Sequence, residues 1–415
     1  MTSFLIKHVR IFDGETTIES GSVLVENGKI TEVSQEPIEC DGQTISKPGH
    51  TLLPGLIDVH VHCDNANPVA LPQALRFGCT TVCDMHNEFP NIQKLREQIK
   101  GGDCADIKCT SFAATIKGGW PEAIVLMLND NTETRAEIAT WPKLQTPQDG
   151  QQYVLDRINE DVDYIKLMHE SGLVMGANFP KPSLDLQESI IETAHSHNLL
   201  VVAHATCLSD TLEILSAGAD GLTHTFIDAP PTEELIAAYK KNNAHCNPTL
   251  SAMGSGTKEG KETQERFAHD ERVQHLLGKT EREQMCKCME FARKAGATCE
   301  NAFESVRKLK EAGVLILCGS DAAGPAVGTA WGLSMHQELD LFVNQCGFTP
   351  EEALILATSA PAKRFEFSDR GMIKPGLRAD LLLVEGNPLE DISHTLDLRG
   401  VWAEGKLCSA YEGKL

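Results

Sequence analysis

Apolar runs and helical patterns alternate along the middle of the chain, and no other feature constrains the fold as strongly. The apolar runs recur at Leu52–His62, Thr80–Met85, Ile107–Thr115, Val162–Met168, Leu199–Ala205, Gly221–His224, Ala244–Leu250 and Val314–Asp321. Between most of them lie stretches with helical spacing, such as SLDLQESIIETAHSHN, SDTLEILSAGA and PTEELIAAYKKNN. Strands that are apolar throughout are buried on both faces, the mark of a parallel sheet with helical crossovers. Eight such strands predict a (β/α)8 TIM-like barrel in preference to an open sheet. The segment from Ser251 to Lys310 exceeds one barrel helix. Its EREQMCKCMEFARKA and ENAFESVRKLKEA read as helical, and part of it is expected to cover the barrel mouth.

The two ends of the chain read differently. Phe4 to Val33 alternates apolar and polar residues around Gly-containing turns, and Asp380–Pro388 and Val401–Cys408 again read strand, turn, strand. The expected class is therefore α/β. A small β-sandwich domain assembled from residues 1–52 and 367–415 accompanies a barrel of residues 53–366.

Composition enters by exclusion. A net charge of −22, spread along 415 residues, argues against nucleic acid or an anionic membrane as partner. No apolar run approaches the roughly 20 residues of a membrane span. The opening MTSFLIKHVRIFDG reads at once as strand and turn, without the apolar core of a secretory signal. The 14 cysteines are scattered, and Cys83, Cys109 and Cys318 sit in apolar strands, as free thiols do. Cys286 and Cys288, two apart on an expected helix, splay apart and do not suggest a metal clip. These features predict a reduced, cytoplasmic protein; a small-molecule substrate and a homo-oligomer are further expectations. The terminal Gly413-Lys414-Leu415 only faintly echoes a peroxisomal address.

The chemistry starts at GLIDVHVH, residues 55–62. Alternation along a strand puts His60 and His62 on one face, where two imidazoles invite a divalent metal. An isolated His-x-His on an edge strand needs no metal, so the decision falls to the other strands. Polar residues at the C-terminal ends of barrel strands converge on one site. Lys166 lies in strand four, His204 ends strand five, His224 ends strand six and Asp321 ends strand eight. Four histidines and one aspartate suffice for two cations. Burial would lower the pKa of Lys166, and a neutral amine can take up carbon dioxide as a carbamate that bridges two cations. A salt bridge to a carboxylate on a neighbouring strand is the alternative for that lysine.

These residues carry a family resemblance. PGLIDVHVH, the Thr80-Thr81-Val82 strand, DYIKLM, VAHA, GADGLTH, NPTL at Asn247 and GSDAAG at Ser320 resemble the amidohydrolase superfamily, in its imidazolonepropionase-like and prolidase-like branch. The likeness continues through MHQELDLFV, GFTPEEALILATSAPAK and GMIKPGLRADLLLVEGNPLEDI, so it covers nearly the whole chain. It implies that His60, His62 and Asp321 hold one cation, His204 and His224 a second, and an N6-carboxylysine at Lys166 bridges them. Such ligands suit zinc, manganese or iron, and zinc is the expected ion. The sequence departs from the dipeptidase-like pattern at two places. Trp120 stands where a histidine usually follows the Gly-Gly of the strand-three loop, and Thr206 where an aromatic follows the strand-five His-Ala. Lys117 is an alternative anion partner, and Trp120 suggests an apolar or aromatic substrate surface.

The implied activity is hydrolysis of an amide or cyclic-amide C–N bond. Two cations activate water and polarise a carbonyl, and Asp321 carries the proton. His169, next to strand four, is a further candidate for touching substrate, whereas His86 and His336 are assigned no role. A mononuclear deaminase or ring hydrolase is the rival within the superfamily, and Lys166 counts against it. An inactive barrel serving as a binding protein is the rival outside it, and the complete ligand set counts against that.

Overall fold

The first strand alternates its inward residues as a half-buried strand must, then changes face. Phe4 and Ile6 point into a small core, His8 adopts φ 58°, and Val9 and Ile11 take over the inward positions. The computed structural model describes residues 3–324 and 326–415. Residues 1 and 2, part of the expected opening strand and terminal domain, lie outside the described residues.

Strands β1 (Ser3–Phe12), β2 (Thr17–Glu26), β3 (Lys29–Ser34), β4 (Gln43–Ser46) and β5 (His50–Pro54) begin the chain. Eight further strands occupy the middle. They are β6 (Leu56–His62), β7 (Cys79–Asp84), β8 (Asp106–Cys109), β9 (Ile165–Met168), β10 (Val201–His204), β11 (Gly221–Thr223), β12 (His245–Asn247) and β13 (Ala322–Ala323). The chain ends in β14 (Leu381–Glu385), β15 (Leu398–Ala403) and β16 (Lys406–Leu407). The terminal strands form one sheet in the order β16-β15-β14-β5-β1-β2-β3, with β4 also on β1. Leu52, Leu381 and Leu383 face its own core, while Leu53, Leu382 and Val384 face the barrel core. The unbroken apolar run of β14 is thus a strand buried on both faces.

The middle strands form two parallel arcs, β13-β6-β7-β8 and β12-β11-β10-β9, which backbone hydrogen bonds join into a barrel. Ala114 N–H donates to the Lys166 carbonyl at 2.8 Å, closing one seam. Segment 314–321 closes the other. Cys246 N–H donates to Leu315 on one side, and Asp321 N–H donates to His60 on the other, at 2.9 and 2.8 Å. Amphipathic helices surround the strands. In Leu184–Ser196, Ser183 caps the first turn while Leu186, Ile190, Ile191 and Ala194 recur at helical spacing on the buried face.

Three expectations need correction. The run Leu52–His62 is two strands, because Pro54-Gly55 turns the chain from the sandwich into the barrel. Gly55 packs so tightly there that a Cβ would lie 2.2 Å from Thr80 Oγ1. Strand eight has regular ladder pairing only at Ala322–Ala323. Upstream, Ile316 makes an isolated parallel bridge to Cys246, and the carbonyls of Leu317 and Gly319 also accept hydrogen bonds from the Asn247 side chain. Finally, the helix expected through Cys286 and Cys288 stops at Met285, so the two cysteines do not share a helix. The Ser251–Lys310 stretch is occupied by helices Leu250–Thr257, Lys261–Ala268, Lys279–Met285 and Cys299–Glu311, separated by irregular chain.

Candidate metal centre

The polar strand ends converge at one mouth of the barrel. His60 and His62 leave β6 on the same face, with their Nε2 atoms 3.3 Å apart. Asp321 Oδ1 lies 3.2 Å from His60 Nε2 and 3.4 Å from His62 Nε2. The ring of His224 is 4.8 Å from that of His60 and 4.7 Å from that of His204. One donor atom from each of His60, His224 and Asp321 falls within 4.8 Å of the others. Lys166 enters from β9, 1 % exposed, with its Nζ against the Thr223 hydroxyl. No carboxylate forms an ion pair with it among the described residues, so the salt bridge considered for it is not seen there.

Charge is distributed unevenly over this cluster. Burial, with the nearby positive charges, pushes His60 and His204 well below the ordinary imidazole range. Burial also pushes His224 down, against the pull of Asp321. Burial thus favours the neutral form of these three rings, the form that can offer a lone pair to a cation. His62 is the exception. Burial opposes its charge, but the hydrogen bond and charge of Asp321 raise it to about 9. Burial would raise Asp321, yet His224 and His62 hold it below its usual value. Lys166 falls to about 7 through burial, opposed only by Asp321.

Supporting side chains fix the ligand orientations, and several were missed in reading the sequence. Asn247 Nδ2 donates to Leu317 and Gly319 carbonyls, which leaves Oδ1 facing His60 Nδ1 at 3.3 Å. That carbonyl oxygen assigns the ring proton to Nδ1 and leaves Nε2 as the lone-pair nitrogen facing Asp321. Gly319 allows this approach, since a Cβ would sit 2.7 Å from Asn247 Nδ2 and 2.9 Å from His60 N. Two residues on, Thr249 Oγ1 meets His224 Nδ1 at 2.7 Å. Buried Asp58 accepts from Ser320 N and Oγ at 2.9 and 2.5 Å, and so anchors the residue before Asp321. His224, Thr249 and Asp321 have φ of 80°, 48° and 54°. Non-glycine residues in this region are strained, and such strain clusters at functional sites.

The remaining candidates are placed as follows. The indole of Trp120 stacks on His204 at 4.8 Å and 17°. Lys117 is exposed. His169 is buried with Nε2 3.0 Å from Glu213, which also pairs with Lys181, and its Nδ1 has no partner. Thr206 does not face open space. Its hydroxyl donates to Glu170 at 2.6 Å, and Glu170 in turn lies 3.3 Å from His204 Nε2. The sequence signal for Glu170 was its place directly after His169 at the end of strand four. His86 accepts from Ala113 N at 3.1 Å, and His336 bridges Thr395 and the Phe77 carbonyl.

The donor set fits a divalent cation. Neutral imidazoles and a carboxylate surround one point, and His204 Nε2 is buried without a hydrogen-bond partner. With only the Glu170 carboxylate near it at 3.3 Å and no hydrogen bond made, that nitrogen can serve as a donor to a cation.

Comparison with known proteins agrees with this picture. The model of the amidohydrolase family matches residues 51–408. An imidazolonepropionase of Cutibacterium acnes is 31% identical over 175 residues, which cover 41% of this chain and 38% of that enzyme. The aligned stretch is thus less than half the length of that relative. Among solved structures, a Xaa-Pro dipeptidase with bound methionine in its active site superposes with a TM-score of 0.76 at 22% identity, covering 98% of this chain and 99% of that one. Phenylurea hydrolase B gives 0.78 at 18% identity, covering 98% and 97%. At these identities the structural likeness speaks for the fold.

Proposed function

Since this chain belongs to the amidohydrolase family, we propose that it hydrolyses an amide or cyclic-amide C–N bond of a small molecule at a two-cation centre. His60, His62 and Asp321 would hold one cation, and His204 and His224 the other. A carboxylated Lys166 would lie between them, and zinc is the ion favoured here. The observation that carries this reading is Lys166. It is a buried lysine that forms no ion pair with a carboxylate among the described residues, set among four histidines and lowered to about 7 by burial. A lysine in that state is a nucleophilic amine, which is what carbamate formation requires.

Bound at these residues, divalent cations would make water nucleophilic at neutral pH and polarise the scissile carbonyl. The chain does the rest. Asp321, whose side chain is 17% exposed, faces the mouth, where water and substrate enter. Its carboxylate takes the proton released as water attacks and returns it to the departing nitrogen. Asn247 and Thr249 hold the rings of His60 and His224 during the reaction. Trp120, flat on His204, supplies an apolar wall for the substrate, and the exposed Lys117 is the nearby cation for an anionic substituent. His169, turned onto Glu213, is proposed as a reserve contact only. A relative named for imidazolonepropionase activity supports C–N cleavage as the reaction class. Fourteen unpaired cysteines, and no helix among the described residues long and apolar enough to cross a membrane, support a cytoplasmic setting.

A one-cation centre is the second reading, favoured by the tight convergence of His60, His224 and Asp321. Elemental analysis separates the two. Protein purified without chelator and supplied with bicarbonate should carry about two divalent cations per chain. The Lys166→Ala variant should lose the second cation together with turnover of lactams, N-acyl amino acids and aryl amides. Wild-type activity in that variant, or a stoichiometry fixed at one, would refute the two-cation centre.

A further inference from the structure

The loops that leave the two ligand-bearing strands, after His62 and after Asp321, enclose a cavity of 490 Å³ together with helix Lys279–Met285. Asp64, Gln73, Glu281, Gln284 and Trp331 are among its walls, and no lysine or arginine lines it among the described residues. Neither Asp64 nor Glu281 takes part in an ion pair among the described residues. Trp331 is fixed beside the metal centre because its indole N–H donates to the His62 carbonyl at 3.2 Å. Gln73 is fully buried. Its Nε2 donates to the Trp331 carbonyl at 3.2 Å, while its Oε1 is buried without a partner.

The charged side chains on these walls are both carboxylates, Asp64 and Glu281, with the indole of Trp331 beside them, while the Asn65, Asn67 and Gln284 amides and the Thr280 and Thr329 hydroxyls can either donate or accept. An anion would be repelled. A neutral apolar group would take the carboxylates out of water without compensation. A cation would satisfy both carboxylates and gain from the indole face. We propose that this cavity receives a cationic group of the substrate, an ammonium, amidinium or guanidinium, between Asp64, Glu281 and Trp331. The proposal rests on the hydrolase reading for what happens to the adjoining amide, and on the cavity alone for the charge.

Two measurements test it separately. The first is calorimetric binding of benzamidine to metal-loaded protein. Saturable binding should weaken about tenfold or more in the Asp64→Asn/Glu281→Gln variant. Each isosteric single variant should show part of that loss, which covers a double variant that folds poorly. The second is turnover of amides matched in size, lysine against norleucine and arginine against citrulline, on either side of the scissile bond. The cationic member should be favoured about tenfold or more in kcat/KM, and the double variant should lose the preference. Benzamidine that fails to bind the wild type, or binds the variants equally well, overturns the cavity assignment. So does equal use of matched amides. Benzamidine binding without turnover of any amide would sink the hydrolase reading and leave the cavity assignment standing.

Discussion

At the scale of single residues, the proposed centre would separate groups that hold a cation from groups that move a proton, and Asp321 is proposed for both. Asp321→Asn keeps an oxygen where Oδ1 stands but cannot accept a proton near neutral pH. Turnover should fall about 100-fold or more while most of the metal stays bound. Metal content and turnover measured in one preparation check this. Turnover preserved within a few-fold would move the proton elsewhere, to His169 first. Asn247 makes no contact with substrate in this scheme, yet its Oδ1 sets the tautomer of His60. Asn247→Ala frees that ring, and metal affinity should drop by about 10- to 100-fold, the usual cost of losing a partner that orients a metal-binding histidine. A competition titration with a coloured chelator reads it directly.

At the scale of elements, one loop orients a ligand of each proposed cation. Asn247 and Thr249 flank Pro248 at the end of β12, and helix Leu250–Thr257 starts at once behind them. Glu338, from helix Leu333–Asn344, accepts from the Ser251 N–H at that helix start and is fully buried, with Oε2 unpartnered. It thereby holds the turn in which Thr249 is strained. Burial, aided by Asp58 and opposed by its bonds to Ser251 and Leu250, raises Glu338 to about 8. A carboxyl raised in the folded state binds more protons there than in the unfolded chain. Its contribution to stability is therefore complete below the ordinary value of 4.5 and is lost as pH rises to about 8. Glu338→Gln, neutral at every pH, lacks that dependence. Its Tm should gain on the wild type between pH 5 and about 8, as thermal melts at several pH values would show. A gap that stays constant with pH would refute the buried neutral carboxyl.

At the scale of the whole molecule, sandwich and barrel are tied by shared strands and by buried charge. The division proposed after residue 52 falls within β5, whose alternate side chains serve the two cores. Arg370, 6 % exposed, reaches from the C-terminal segment to Thr81 Oγ1 at 2.9 Å and Asp106 Oδ2 at 2.6 Å at the base of the barrel. Arg370→Ala would leave the partly exposed Asp106 with Arg378 alone and remove the bond to Thr81, and should destabilise by about 1–3 kcal/mol. Because β5 and β14 carry residues of both cores, denaturant unfolding should stay a single transition. A sandwich that melts separately would contradict this coupling.

Strand-end polar residues were legible because a barrel strand leaves few places for them. His60, His62, Lys166, His204, His224 and Asp321 each interrupt or close an apolar run, and only the mouth accommodates them all. The alternation of strand and helix, and the β pieces at both ends, were equally local signals. What the chain could not disclose by inspection arises from contacts between residues far apart in number. Asn247 reaches His60 across 187 positions and Asp58 reaches Ser320 across 262, and no periodicity marks either pair. The close packing at Gly55 involves Thr80, and the carbonyls before Ala322 meet the Asn247 side chain. The sequence by itself determined which side chains could bind a cation, since residue type and strand periodicity suffice for that. Only the tertiary structure decided which nitrogen of His60 faces the centre, which carboxylates stay unpaired beside it and which loops close around them. Those properties belong to hydrogen bonds and burial, which exist only once distant segments pack together.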